Sequence, residues 1–426
     1  MAENPPYLQS IFGRNLAGPN GISELMDDLG SALSLGADRI HFLGGGNPAS
    51  IPAVQALWRA RMTELLADGG AEFDRMVSNY DDPAGSPRFR EAMAAYLRRE
   101  FGWNVTRENI AVTCGGQTAF FFLLNRLAGA MRDGSRRKIL LPVVPEYIGY
   151  ADLGVTADPL FEARHPTIQK IGDHSFKYQV DFDQLHLDES HGAVLISRPT
   201  NPSSNVLTDA EVEHLRGLAG ERGIPLVIDN AYGLPFPGVI FREATLTWDE
   251  GTILTMSLSK LGLPGTRTGI VVARPDLIRE LSAMTAVVGL SNNNIGQALV
   301  LPLLESGEIG RVAREVVCPY YQAKAAVALT MAHRYLPKSS GWRAHESEGA
   351  FFLWLWFAGL PITSRELYVR ARAKGLLIIP GEAFFFGLPE GDPWPHQHEC
   401  IRVSFTSPPE VIEAGFRILG EVLGEL

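Results

Sequence analysis

Short β-branched runs alternate with longer amphipathic ones through the middle of this 426-residue chain. The runs NIAVT (Asn109–Thr113), KILLP (Lys138–Pro142), GAVLIS (Gly192–Ser197), IPLVID (Ile224–Asp229), TILTMS (Thr252–Ser257) and TGIVVA (Thr268–Ala273) have the length of strands. Between them lie segments such as GGQTAFFFLLNRLAGAM and DAEVEHLRGLAGERG, whose apolar residues recur at helical spacing. Strands that are apolar throughout and separated by helices predict a mainly parallel sheet covered on both faces. In such sheets ligands gather at the carboxyl ends of the strands.

From Gly307 to Leu336 the pattern reads as helix, kinked at Pro319. The tail then returns to strand-like runs, GAFFLWLWF, GLLIIPG and CIRVSF. This change predicts two lobes: a large one over residues 46–305, and a smaller α/β lobe made of residues 1–45 with 306–426.

Composition narrows the class without naming a function. The formal charge of −10 is spread without long runs of one sign, which argues against a nucleic-acid surface. Cys114, Cys318 and Cys400 are far apart and predict neither a disulfide framework nor a cysteine zinc site. MAENPPYLQS does not read as a signal peptide, and no apolar run is long enough to span a bilayer, so a cytoplasmic enzyme is expected.

The chemistry concentrates at the predicted strand ends. In VTCGGQTA, two glycines precede an apolar helix, so exposed amides and the helix N-terminus can hold an anion such as a phosphate. An ordinary glycine turn is the alternative, and neither the dinucleotide nor the P-loop pattern fits. In VIDNAYG, Asp229 ends an apolar strand, where a carboxylate needs a cationic partner or several hydrogen bonds. Asn201 in SRPTNPSSN reads either as a turn residue or as an amide aimed at a ligand. Lys260 in SLSKLGLPGTRTG either snorkels to water or is held partly desolvated to carry a carbonyl cofactor as an imine. Arg267, seven residues on, suits a phosphate dianion or a structural ion pair.

In order and spacing, VTCGGQTA, PEYIGY, RPTNPSSN, VIDNAYG, SLSKLGLPGTRTG and CIRVSF resemble the fold-type-I pyridoxal-phosphate (PLP) enzymes, the aspartate-aminotransferase superfamily. Within it, HFLGGGNPA, PEYIGYAD, IPLVIDNAYG, MSLSKLGLPG and GAFFLWLWF are similar to the valine–pyruvate aminotransferase branch, from about Gly21 to the C-terminus. The resemblance implies an α/β fold with a seven-stranded, mainly parallel sheet in the large domain and a smaller α/β domain. It implies Lys260 as the catalytic, imine-forming lysine and Asp229 as partner of the pyridinium nitrogen. Asn201 and Tyr232 would face the ring's phenolic oxygen, and Tyr147 its face. Gly115, Gly116, Gln117, Ser257, Ser259 and Arg267 would form the phosphate cup. Arg402 would grip the substrate α-carboxylate, with Gly45 nearby. Tyr80 would reach the cofactor of a neighbouring subunit, which implies a homodimer with shared sites.

The implied activity is a ping-pong aminotransferase moving an amino group between a small aliphatic amino acid and a 2-oxo acid such as pyruvate. A PLP-dependent lyase or decarboxylase, or a non-catalytic PLP-sensing module, is the alternative. A metal reading of PWPHQHEC fits no standard zinc spacing, and no metal is expected. AFFFG reads as pocket lining or as core. One departure concerns NPSSN, where Ser204 replaces the family's glycine: if a positive φ is needed there, the loop must be rebuilt or strained.

Overall fold

The computed structural model describes residues 10–17, 40–156 and 158–426; most of the 1–45 segment assigned to the small lobe, including the polar N-terminus, lies outside them. Seven strands of three residues or more build the large sheet: β1 (Ile110–Thr113), β2 (Arg136–Leu141), β3 (Phe161–Ala163), β4 (His191–Ser197), β5 (Leu226–Asp229), β6 (Thr252–Ser257) and β7 (Gly269–Val272). They lie in the order β1-β7-β6-β5-β4-β2-β3, and a two-residue strand, Gly129–Ala130, hairpins onto β2. β7 alone among the seven runs antiparallel to its neighbours. Every residue of β1, β4, β6 and β7 is buried, as expected of strands covered on both faces.

A second sheet has the order Ile379–Pro380, Cys400–Ser404, Phe352–Phe357, Trp342–His345, Ser175–Gln179, Thr167–Ile171. Its last two strands form a hairpin from the middle of the 46–305 segment, joined in parallel to Trp342–His345. The alternating aromatic run Phe352–Phe357 is its buried centre. His41–Phe42 pairs with Leu376–Leu377, and Ser404 donates to the Leu43 carbonyl at 2.6 Å, so Gly44–Gly46 are strung between the lobes.

The long C-terminal helical segment breaks before Pro319 rather than at it. Helix Glu308–Val312 passes through a π-turn, Ala313–Val317, into helix Cys318–Tyr335. Proline has no N–H to give the Glu315 carbonyl four residues back, so the irregularity falls in the preceding turn and Pro319 opens the next helix.

The NPSSN loop keeps the left-handed turn. Ser204 has φ +63°, and its buried hydroxyl donates to the Phe352 carbonyl at 2.6 Å. That hydrogen bond offsets the strain of a side chain in this region, about 1 kcal/mol or more. Ser204→Ala retains the strain and orphans a buried carbonyl, so it is expected to lose about 1–2 kcal/mol, whereas Ser204→Gly exchanges the bond for relief. Thermal unfolding should therefore find the alanine variant melting below the glycine variant; the reverse order would remove this account of the loop.

Candidate active site

The sheet register brings the strand ends into line. Ser197 pairs with Asp229, Asp229 with Thr255, Ser257 with Gly269, and Gly269 with Thr113. The loops that follow β1, β4, β5 and β6 therefore open into one cavity of about 310 Å³. Gly116, Gln117, Tyr147, Asn201, Asp229, Tyr232, Ser257, Ser259, Lys260 and Arg267 line it, with Gly45 and Arg402 closing it from the other side. Gly115 lies behind this wall. Tyr80 does not reach it and is 81% exposed.

Lys260 stands on a short helical turn directly after β6. Its Nζ donates to the Gly46 carbonyl at 2.7 Å and lies 5.2 Å from the centre of the Tyr232 ring. Burial, with Arg402 and Arg267 nearby, lowers its pKa to about 8 against the pull of Asp229. The neutral amine is thus far more populated near physiological pH than that of an ordinary lysine, which suits it as nucleophile and base.

Asp229 ends β5 facing the cavity. It accepts from the Ala231 N–H at 2.9 Å and from the Tyr150 hydroxyl. Burial still pushes its pKa up, because those donors do not replace a full cationic partner. Tyr150 and Ser197 were not singled out in the sequence, although Tyr150 stands in the PEYIGY motif itself. The signal was the i, i+3 tyrosine pair, which puts Tyr147 at the cavity and Tyr150 beneath it. Their rings meet edge to face at 5.1 Å, and a Cβ at Gly149 would strike the Tyr147 ring.

Gly115 (φ +84°) caps helix Gly116–Leu127. A Cβ on it would lie 2.2 Å from Arg267 Nη2, so only glycine lets the guanidinium pack against this turn. A Cβ on Gly116 would meet nothing, leaving a cradle at the helix N-terminus. Gln117 turns its amide to the Gly149 carbonyl at 2.5 Å, and the Ser257 hydroxyl accepts from the Ser259 N–H at 3.1 Å.

Arg402, on strand Cys400–Ser404, is fully buried. It donates to Asn201 Oδ1 at 2.7 Å and to the Gly44 carbonyl at 2.6 Å, while its Nε has no partner. The guanidinium rests on Phe352 at 4.3 Å and Phe384 at 5.3 Å. Phe384 of AFFFG is thus core that supports this arginine, and Phe385 is buried against Trp354 and Trp394. Burial lowers the Arg402 pKa to about 10. Among the described residues it forms no ion pair, so a desolvated cation lines the cavity. PWPHQHEC packs elsewhere: His396 lies 2.5 Å from the Tyr178 hydroxyl and 3.5 Å from Cys400 Sγ, kept neutral by burial.

PLP brings a phosphate dianion, a basic ring nitrogen, a phenolic oxygen and an aldehyde. The cradle with Arg267, the carboxyl of Asp229, the Asn201 amide beside Tyr232, and the Lys260 amine match these four groups in kind. The Arg402 guanidinium, which has no anion of its own among the described residues, remains for a carboxylate.

Comparison with known proteins agrees. The family model described as aminotransferase class I and II matches residues 47–418. The chain is 44% identical to the valine–pyruvate aminotransferase of Escherichia coli (strain K12), over 97% of each chain. Among solved structures, valine–pyruvate aminotransferase of Salmonella typhimurium LT2 superposes with TM-score 0.86 at 43% identity, covering 95% of this chain and 99% of that one. A protein of Psychrobacter arcticum 273-4 assigned as an amino-acid aminotransferase gives TM-score 0.94 at 43% identity, over 99% of each. Aspartate aminotransferase from Thermus thermophilus, at 19% identity and TM-score 0.77, shares the fold.

Two outcomes follow from this geometry. Covalent capture of PLP by the apo-protein should speed up with pH to a plateau above about pH 8, where Lys260 is neutral; in absorbance stopped-flow, a rise continuing to the ordinary lysine range would contradict its desolvation. Arg402→Lys loses the planar fork, so amino-acid affinity should fall about tenfold or more while PLP content is kept; unchanged affinity in a spectral titration would show that no carboxylate docks there.

Proposed function

Because the chain belongs to the class I and II aminotransferases, a PLP-dependent family, we propose that it transfers the amino group between a small aliphatic amino acid of the valine or alanine type and pyruvate. The observation that carries the substrate class is the charge inventory of the cavity. Lys260, Arg267 and Arg402 are its basic groups among the described residues, and the reading assigns one to the imine, one to the phosphate and one to the α-carboxylate. None is left for a distal carboxylate, and Phe42 and Phe120 supply apolar wall. The E. coli relative, named for valine and pyruvate, supports the same pair.

When bound, PLP supplies the electron sink that lets the substrate's α-proton leave. Asp229 stays ionised and holds a proton at the ring nitrogen, its raised pKa relieved by that cation. Lys260 would take the α-proton on Nζ and hand it on within the site, general-base work of roughly 10²–10⁴-fold. Arg402 clamps the α-carboxylate and so fixes which α-bond breaks. Asn201, oriented through its Oδ1 by Arg402, keeps its amide donor for the phenolic oxygen, together with Tyr232. Tyr147 covers the ring face, and Gly115, Gly116, Gln117, Ser257, Ser259 and Arg267 take the phosphate.

The exposed Tyr80 fits a homodimer in which each copy completes its partner's phosphate site. The cytoplasmic location expected from the sequence belongs to the same reading. Among the described residues, no helix is long and apolar enough to cross a membrane.

Purified holoenzyme given each common amino acid with pyruvate should form alanine and a new 2-oxo acid fastest with valine-like donors. Alanine from no donor would overturn the pyruvate assignment. Release of ammonia or carbon dioxide instead would establish a lyase or decarboxylase.

A further inference from the structure

Behind Asp229 lies a second acid that the chemistry above does not use. Glu146, the residue before Tyr147, is fully buried in the turn between β2 and the Tyr147–Tyr150 segment. Its carboxyl receives the Ser197 N–H at 2.8 Å, the Tyr147 N–H at 3.0 Å and the Ser197 hydroxyl at 2.7 Å. Ser197 Oγ is 3.5 Å from the Tyr150 hydroxyl, which in turn donates to Asp229. The four groups therefore form a line from a sealed carboxyl to the carboxyl in the cavity.

Resting on the PLP reading, we infer that Glu146 is a positioning residue for Asp229: a proton-carrying acid that, through Ser197 and Tyr150, limits the two carboxyls to a single negative charge. With Glu146 protonated every link has a donor: Glu146 gives to Ser197 Oγ, Ser197 to Tyr150, and Tyr150 to Asp229. Shifting each hydrogen one link along moves one proton net from Glu146 to Asp229 and changes no oxidation state. The pair can thus leave Asp229 neutral while the site lacks a cation, and ionised once the ring nitrogen arrives.

The surroundings agree with a neutral Glu146. Among the described residues the charged group facing it is Asp229, on β5 beyond β4, and the other facing titratable groups are Tyr147 and Tyr150 of its own turn. Burial outweighs its three donors and raises its pKa to about 8. A carboxyl raised in this way stabilises the fold fully below the ordinary carboxylate range and loses that contribution as pH climbs to about 8.

The test compares wild-type holoenzyme with Glu146→Gln, which mimics the protonated acid at every pH, and with Tyr150→Phe, which cuts the line. Between about pH 5 and about pH 8 the wild-type melting temperature should fall relative to that of Glu146→Gln. Above pH 8 the wild type carries an extra anion near the ring, so the midpoint of the pH-dependent change in the cofactor's visible band should lie lower in Glu146→Gln. In a Tyr150→Phe background that difference should shrink. Parallel melting curves would overturn the inference by showing Glu146 ionised throughout. Divergent melting with an unmoved visible band would reduce Glu146 to a structural acid, equally against it. Should Glu146→Gln not fold, Tyr150→Phe alone must shift the wild-type midpoint, and an unshifted one refutes the link. A wild-type protein with no visible band would instead strike at the PLP reading itself.

Discussion

The site depends on an imbalance of charge held out of water. Lys260, Arg267 and Arg402 converge on one cavity, and Asp229 is the carboxyl in its wall. Desolvation makes each of them costly: it lowers the pKa of Lys260 and Arg402 and raises that of Asp229. A buried charge is tolerated when paired and hydrogen-bonded, and destabilising when left alone. Arg402 has two neutral acceptors and no anion among the described residues, so its buried charge is uncompensated until an anion enters. The same low dielectric that makes the empty site costly strengthens every interaction a bound anionic group makes. Affinity for anionic groups is thus stored in the fold before any arrives.

Two features of the backbone allow this. Parallel strands in register deliver the β1, β4, β5 and β6 loops to the same edge of the sheet, so residues far apart in sequence become neighbours. Antiparallel β7 sits between β1 and β6 and places Gly269 against the Gly115–Gly116 turn, where a Cβ would lie 2.6 Å from the Gly115 carbonyl carbon. A glycine is required there for the phosphate turn to close onto the sheet. The lobes meet through the Gly44–Gly46 segment, whose carbonyls accept from both Arg402 and Lys260. One run of glycines therefore orients a basic group from each lobe.

Much of this was legible because it rests on local signals. The six strand runs fall within one or two residues of β1, β2, β4, β5, β6 and β7, since each carries a short apolar run bounded by turn residues; β2 begins two residues earlier than its run, in the basic Arg136–Arg137. β3 and the Thr167–Gln179 hairpin were not legible. β3 has three residues, and Thr167–Ile171 is mostly exposed, so neither shows a buried period. Gly116, Gln117, Asn201, Asp229, Tyr232, Ser257, Ser259, Lys260 and Arg267 of the cavity lining were found through motifs with a fixed place after a strand. Tyr150, Ser197 and Glu146 were missed because their importance is a matter of depth: nothing in PEYIGY reveals which face of the turn goes inward. The strained Ser204 lies between these cases. The substitution is visible in the sequence, but the hydrogen bond that makes it tolerable comes from Phe352, 148 residues away.

That bond belongs to a wider coupling between the lobes. Lys177, on the hairpin of the second sheet, donates to Asn205 Oδ1 at 2.8 Å and pairs with Glu348 at 2.5 Å. Glu348 also accepts from the Val206 N–H at 2.8 Å and pairs with Arg242. Replacing a buried ion pair by apolar groups is often neutral for stability, so such a cluster is better explained by what it fixes than by what it contributes. Here it fixes the loop that carries Asn201 against the sheet that carries Arg402. Those two side chains touch each other at the cavity wall, and a shift between the lobes would part them first. Positional accuracy at a reacting centre is worth orders of magnitude in rate when a displacement of about 1 Å is at stake. The buried Lys177–Glu348 pair, with Arg242 at its edge, and the strained Ser204 therefore serve one end: they hold the Arg402 guanidinium and the Asn201 amide in a single frame, although the two come from different sheets.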